Sequence, residues 1–191
     1  TARRLVPKNG VEYLIRASRI LANSGINFHV AIAGSGPLGQ NLEKLSEQLG
    51  VAPRISFLWH VDREKLEELY LASDLVILPS IVEAFGLPVL EAMAYRRPIV
   101  TFDSGGPAEI VQREGTGLVL RQRNASTLAQ AVIKLANEPE LIRRMEYKCS
   151  TAVRKYSWDR IAQETIRVYG QLLTIRRTEQ FHFLSSSDSK N

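Results

Sequence analysis

The sequence predicts an α/β domain built around a parallel sheet. Short apolar runs of strand length alternate with longer segments of helical period, which is the pattern of repeated strand–helix units. One such run, Asp74-Leu75-Val76-Ile77-Leu78, is apolar at every position after its first, as expected of a strand buried on both faces. Turn-forming clusters such as Pro7 to Gly10 and Gly34-Ser35-Gly36-Pro37 separate the segments.

In chain order, Leu5-Val6 reads as the end of a strand and Pro7 to Gly10 as a turn. Val11 to Asn23 is a helix, with Leu14, Ile15, Ala17, Ser18, Leu21 and Ala22 on a helical period. Phe28 to Ala33 is a strand, and Leu38 to Leu49 is a helix with Gly50 beyond its end as a cap. Ile55 to Leu58 is a strand. Asp62 caps the next helix, with Lys65 where a complete capping box would have Glu. Leu75 to Leu78, Ile99 to Phe102 and Gly117 to Leu120 are further strands. Helices follow at Pro88 to Tyr95, around Pro107 to Val111 and at Ala125 to Ala136. A last helical stretch runs from Pro139 to about Leu173, broken near Tyr156-Ser157, and residues 174–191 read as a polar, disordered tail.

With 191 residues, 45% hydrophobic and 24% charged, the chain can bury one good-sized core, and its composition is ordinary for a soluble globular protein. No apolar run approaches the roughly 18 residues of a membrane span, and none reads as a signal peptide. The chain opens at Thr1, without Met, on charges followed at once by a strand end, so the reading expects a piece of a longer protein. Cys149 is the only cysteine, which fits a reducing compartment, and it reads as a small hydrophobe in a helix. Three scattered His, with His29 in a strand, His60 in a loop and His182 in the tail, make no metal site with it. The net charge of +5 is modest. Arg143, Arg144, Lys148, Arg154, Lys155 and Arg160 read as a solvated helix face; the competing reading is a weak attraction to acidic lipid or another polyanion. No aromatics interleave these charges as a single-stranded nucleic-acid groove requires, so no nucleic-acid partner is expected.

The most informative segment is Pro79-Ser80-Ile81-Val82-Glu83-Ala84-Phe85-Gly86-Leu87-Pro88-Val89-Leu90-Glu91. It sets two carboxylates on either side of a strand-to-helix junction. Pro88 suits the first helical position, and Gly86 lets a ligand approach the backbone just before it. Free amides at a helix start favour a phosphate. Glu83 then lies in the loop at the mouth of the strand, and Glu91 about one turn into the helix. An anion site between two hydroxyl-binding carboxylates suits a sugar nucleotide.

This segment resembles the Glu-x7-Glu motif of retaining glycosyltransferases of family 4, which have the two-domain GT-B fold. The resemblance covers about Arg3 to Leu173. It implies a Rossmann-like parallel sheet with helices on both faces, forming the C-terminal, donor-binding half of a GT-B fold. The last helix, from about Trp158, is expected to cross to a missing N-terminal domain. By resemblance, Glu83 contacts the donor sugar, Glu91 holds ribose hydroxyls, and the backbone of Phe85, Gly86 and Leu87 meets phosphate and sugar. Arg4-Leu5-Val6-Pro7-Lys8-Asn9-Gly10 resembles the family's opening motif, whose Arg and Lys clamp the donor diphosphate. Arg4 and Lys8 are the candidates, although relatives often place the Lys where this chain has Asn9. Arg3 is the reader in a register shifted by one. Fixed cations and helix amides then stabilise the leaving diphosphate without a metal.

Gly34-Ser35-Gly36-Pro37-Leu38-Gly39 matches G-x-G-x-x-G, but no carboxylate precedes Asp62 where a nicotinamide site wants one. Its Gly-x-Gly-Pro form resembles the family's cleft loop, making Gly34 and Gly36 candidate cleft residues, with turn punctuation as the alternative. Trp59 stands where relatives often have Gly near the nucleobase; it stacks on the base, blocks the pocket or turns away, or it is a buried core or interface residue. Gly105-Gly106-Pro107-Ala108-Glu109-Ile110 resembles the family's Gly-Gly-x-x-Glu-Ile loop, with Glu109 read as a first-turn acid.

The implied function is binding of a nucleoside-diphosphate sugar, with UDP or GDP as the nucleotide, for retaining transfer of a hexosyl group to an acceptor. The acceptor is a glycan, a lipid or a small molecule. The fragment alone is expected to be inactive. The implied location is cytoplasmic, extending to the inner membrane face by peripheral association. Alternatives are a non-catalytic sugar-nucleotide-binding module, a UDP-sugar 2-epimerase on the same fold, which the paired Glu disfavour, and, distantly, a nicotinamide oxidoreductase.

Overall fold

Every residue of Ile99–Phe102 (β4) is buried, which requires cover on both faces of its sheet. A computed structural model describes the backbone of residues 1–187 and the side chains of residues 1–173. The chain divides into two units, Thr1–Val153 and a second from Arg154 onward. In the first unit, β4 is the middle strand of a parallel three-stranded sheet between Val76–Leu78 (β3) and Gly117–Leu120 (β5). Val30–Ala33 (β1) and Ile55–Trp59 (β2) form a separate parallel pair, with a register shift between Ile32 and Ala33. The α/β class with parallel strands is therefore as expected, with two sheets in place of one.

The helices of this unit are Val11–Asn23 (α1), Gly39–Gln48 (α2), Arg63–Ala72 (α3), Leu87–Ala94 (α4), Gly106–Glu114 (α5), Ala125–Asn137 (α6) and Pro139–Ala152 (α7). α1 joins the two sheets. Its Leu14, Ala17 and Leu21 pack with Val100, Phe102, Leu128 and Leu135, while Val11 and Ile15 pack with Leu5, Ile32, Leu42 and Ile55. Tyr13 meets the Phe102 ring edge-on at 5.4 Å. α4, α5 and α7 pack against one another. The Asp62 side chain accepts from the Lys65 amide at 2.8 Å, the single-sided cap that the incomplete box implies. Cys149 is fully buried, and burial pushes its thiol up to about 12, which fits an inert side chain.

Several expectations need correction. Leu5-Val6 is not a strand end: the N-terminal segment makes one parallel bridge, Ala2 to Ala33, and then leaves the ladder. The Val6 amide turns back to the Arg4 carbonyl, and Pro7–Asn9 forms a 3-10 turn. Phe28 and His29 precede β1, and α4 begins at Leu87, placing Pro88 second. The break near Tyr156-Ser157 is present, and among the described residues the α-helix of the second unit is Trp158–Ser187 (α8). The tail expected over 174–191 is thus helical through Ser187, because Ile175 to Leu184 contain no Gly or Pro and include good helix formers. Residues 188–191 of that tail lie outside the described residues. Among the described residues, no helix is long and apolar enough to cross a membrane.

Phe102 is fully buried between α1 and α6, so Phe102→Ala is expected to lower the unfolding free energy by about 3–5 kcal/mol in urea titrations. A loss below about 1 kcal/mol would contradict this core assignment.

Candidate functional site

Backbone hydrogen bonds hold the N-terminal segment to the end of β1 and to the loop after β3. The Arg3 amide donates to the Ala33 carbonyl at 2.8 Å and the Leu5 amide to the Ser35 carbonyl at 2.9 Å. The Ile81 amide donates to the Lys8 carbonyl at 2.8 Å. The result is a cavity of about 540 Å³ lined by Arg4, Val6, Pro7, Lys8, Asn9 and Glu83. That size is within the usual range for a small-molecule site. Glu83, distant in sequence from Arg4 and Lys8, thus shares one cavity with them. Arg4 and Lys8 are exposed and make no ion pair among the described residues.

Glu83 is held from below. Arg3 Nη2 donates to Glu83 Oε2 at 2.7 Å, and its side chain is only 4% exposed. The same nitrogen donates to Asn9 Oδ1 at 3.2 Å, and Asn9 Nδ2 donates to the Arg4 carbonyl at 2.7 Å. Asn9 is buried and ties the turn together. Burial lowers the Arg3 pKa, with the Glu83 bond opposing the shift. Arg3 Nε is buried with no partner in the described structure.

The segment from Glu83 to Gly86 is pressed from its far side by the Gly-Gly-Pro loop. A Cβ on Gly105 would fall 2.5 Å from the Glu83 carbonyl, and one on Gly86 would fall 2.5 Å from Pro107 Cγ. Gly86, at φ +82°, therefore seats the start of α4 against α5. No side chain caps α4, and Phe85 and Leu87 are exposed at its entry. Glu91 lies on α4, where its Oε2 accepts from the Tyr70 hydroxyl at 2.9 Å. Tyr70 is buried and stacks on Tyr95 at 5.4 Å. Burial, then the Glu91 charge, raise the Tyr70 pKa, so the phenol stays a neutral donor.

Gly34 and Gly36 do not line this cavity. Their hydrogens face the N-terminal segment: a Cβ would fall 1.8 Å from the Arg3 carbonyl at Gly34 and 2.4 Å from the Leu5 carbonyl at Gly36. Trp59 adopts a left-handed φ of 52°, costly for a bulky side chain, and its carbonyl accepts from the Gly34 amide at 2.6 Å. Its ring lies against Gly39 and is 39% exposed. Among the described residues, no group of three acidic, His or Cys side chains could hold a metal ion. Sequence reading missed Tyr70 and took Asn9 only as a departure; the apolar–polar break at Tyr70 carries no signal of its contact.

Residues 1–150 match the model of the glycosyl transferases group 1 family, and the chain belongs to that family. It is 39% identical over 171 residues to an uncharacterised glycosyltransferase of Methanocaldococcus jannaschii, covering 87% of this chain and 43% of that protein. Its fold is similar to sucrose-phosphate synthase of Thermosynechococcus elongatus, with TM-score 0.78 and 27% identity over 90% of this chain and 44% of that one. HepE of Anabaena, solved with UDP, shares the fold with TM-score 0.78 at 22% identity over 89% of this chain and 47% of that one. The chain thus has the fold of one half of a GT-B glycosyltransferase and spans about two fifths of the curated relatives it matches.

Gly34→Ala is expected to cost more stability than Gly25→Ala. Both residues have positive φ, but a Cβ at Gly25 meets nothing within 4 Å. Gly25→Ala carries only conformational strain, about 1–3 kcal/mol. Equal losses in chemical denaturation would contradict the close approach at Gly34.

Proposed function

We propose that this chain is the donor-binding half of a glycosyltransferase that binds a nucleoside-diphosphate sugar and transfers its hexosyl group with retention of configuration. The observation that carries this reading is the cavity that gathers Arg4, Lys8 and Glu83, with Glu83 a few residues ahead of Leu87, where the uncapped α4 begins. Two unpaired cations and free helix amides suit a diphosphate, whose charge grows as the glycosidic bond breaks. Arg4 offers a two-pronged fork and Lys8 a point charge. Each charge-assisted bond contributes about 1.5–3 kcal/mol.

In this reading Glu83 orients the sugar hydroxyls, and the amides from Phe85 to Leu87 meet phosphate and sugar. Glu91 accepts from the ribose hydroxyls while Tyr70 holds its other side. Leaving-group stabilisation comes from side chains and amides without a metal. UDP is the first nucleotide to test because HepE, which shares the fold, was solved holding it. The acceptor, a glycan, lipid or small molecule, is held mainly by the N-terminal half, so this chain alone transfers nothing. A lipid acceptor would bring the cytoplasmic enzyme to the inner membrane face as a peripheral protein.

Calorimetric titration of the chain with UDP, GDP, ADP and NAD tests the reading. One nucleoside diphosphate is expected to bind with a Kd of about 1 µM–1 mM, and Glu91→Ala to weaken it about tenfold. Binding of NAD alone, or of no diphosphate, would contradict it. Tyr70→Phe is expected to weaken the same nucleotide about three- to tenfold, consistent with losing one hydrogen bond of about 0.5–1.5 kcal/mol.

A further inference from the structure

Arg3 is the buried cation of the N-terminal segment, and the function proposed above gives it no role. Its guanidinium lies beneath the cavity, bound through Nη2 to Glu83 and Asn9. Arg4 and Lys8 line the cavity itself. Glu83 lines it too, so it is the carboxylate within reach of the same space as two unpaired cations on long, rotatable stems. A carboxylate left free there would pair with one of them. An ion pair buried on one side, as here with Glu83 26% exposed, is a weak source of stability, since its desolvation offsets much of its attraction. The pairing of Arg3 with Glu83 therefore calls for a reason beyond folding.

Resting on the donor reading above, we propose that Arg3 is the positioning residue of this site. It occupies Glu83 from below, which orients that carboxylate toward the sugar and leaves Arg4 and Lys8 free for the diphosphate. The arrangement divides the charges by depth. Arg3 is 4% exposed and serves the carboxylate, while the two exposed cations serve the ligand. Asn9 fixes the depth of Arg3, accepting from its guanidinium while donating to the Arg4 carbonyl. A lysine amine at position 9 has no acceptor to offer the Arg3 guanidinium; the Asn9 amide accepts from it and brings no second charge to the pair.

The test is UDP affinity of the chain and its Arg3→Gln, Arg3→Lys and Arg3→Gln/Glu83→Gln variants, each checked for folding by circular dichroism. Arg3→Gln is expected to weaken UDP about tenfold, because Glu83 then pairs with Arg4 or Lys8. Arg3→Lys keeps the charge and is expected to stay within about threefold of the parent chain. The double variant removes the competing carboxylate and is expected to recover to within about threefold. A merely structural Arg3 would leave the double variant as weak as Arg3→Gln, and that result, or an unchanged Arg3→Gln, overturns the proposal. If the parent chain binds no nucleoside diphosphate, the donor reading fails separately. The hold of Arg3 on Glu83 is then judged by melting temperatures of Arg3→Gln, Glu83→Gln and the double variant. Losses that add overturn it, and a double variant less destabilised than the sum upholds it.

Discussion

The site depends on a backbone contact that admits no side chain. Arg3 to Leu5 run against Gly34 and Gly36 so closely that a Cβ on either glycine would strike a main-chain carbonyl. Hydrogen bonds to Ala33 and Ser35 hold the segment in that place, although it is not a regular strand. This approach buries Arg3, which otherwise would be a surface cation near the chain's start. It also directs the following turn, with Lys8 and Asn9, toward the loop after β3. Because α1 begins immediately after this turn and packs against both sheets, the position of the first ten residues is coupled to the core of the unit.

That constraint gives Glu83 its partner, and the two carboxylates differ in what meets them. Glu83 is met by a charged, buried donor in Arg3. Glu91 is met by a neutral one in Tyr70, which its own burial and the neighbouring charge keep protonated. A cation beside Glu83 offsets its charge within the cavity, whereas a phenol orients Glu91 without cancelling it. Between them, the segment from Glu83 to Gly86 is pinned by Gly105 and Pro107, so the entry of α4 is set by packing. The Gly-Gly-Pro loop thereby supports the opposite loop through backbone contact.

Much of the fold was legible because buried strands and amphipathic helices write their periods into the sequence. The apolar runs at Val76 to Leu78 and Ile99 to Phe102 are strands as expected, and Leu14, Ala17 and Leu21 share one buried face of α1. Of the candidate site, Arg4, Lys8 and Glu83 share a cavity, and Glu83 and Glu91 flank the start of α4. Less legible were contacts that depend on three-dimensional closeness. Nothing in local spacing links Tyr70 to Glu91, or Arg3 to a carboxylate 80 positions away. The G-x-G-x-x-G stretch suggests either a ligand loop or a turn, and at Gly34 and Gly36 it is the chain's own backbone that comes close. The division into two ladders escaped detection because apolar runs report burial and not which strands share hydrogen bonds. The helix past Leu173 has no apolar stripe as clear as that of α1, so composition there suggested a tail.

The proposed site puts a diphosphate between the N-terminal turn and the start of α4. Amide chemical-shift mapping of the chain with UDP, set against the same titration with uridine, locates the phosphates directly. Shifts specific to UDP are expected at Arg4, Lys8 and Phe85 to Leu87, with the ribose effect at Glu91 common to both ligands. UDP-specific shifts confined to Gly34 to Gly39, with Lys8 and Gly86 unmoved, would place the phosphates at the other glycine loop and contradict it.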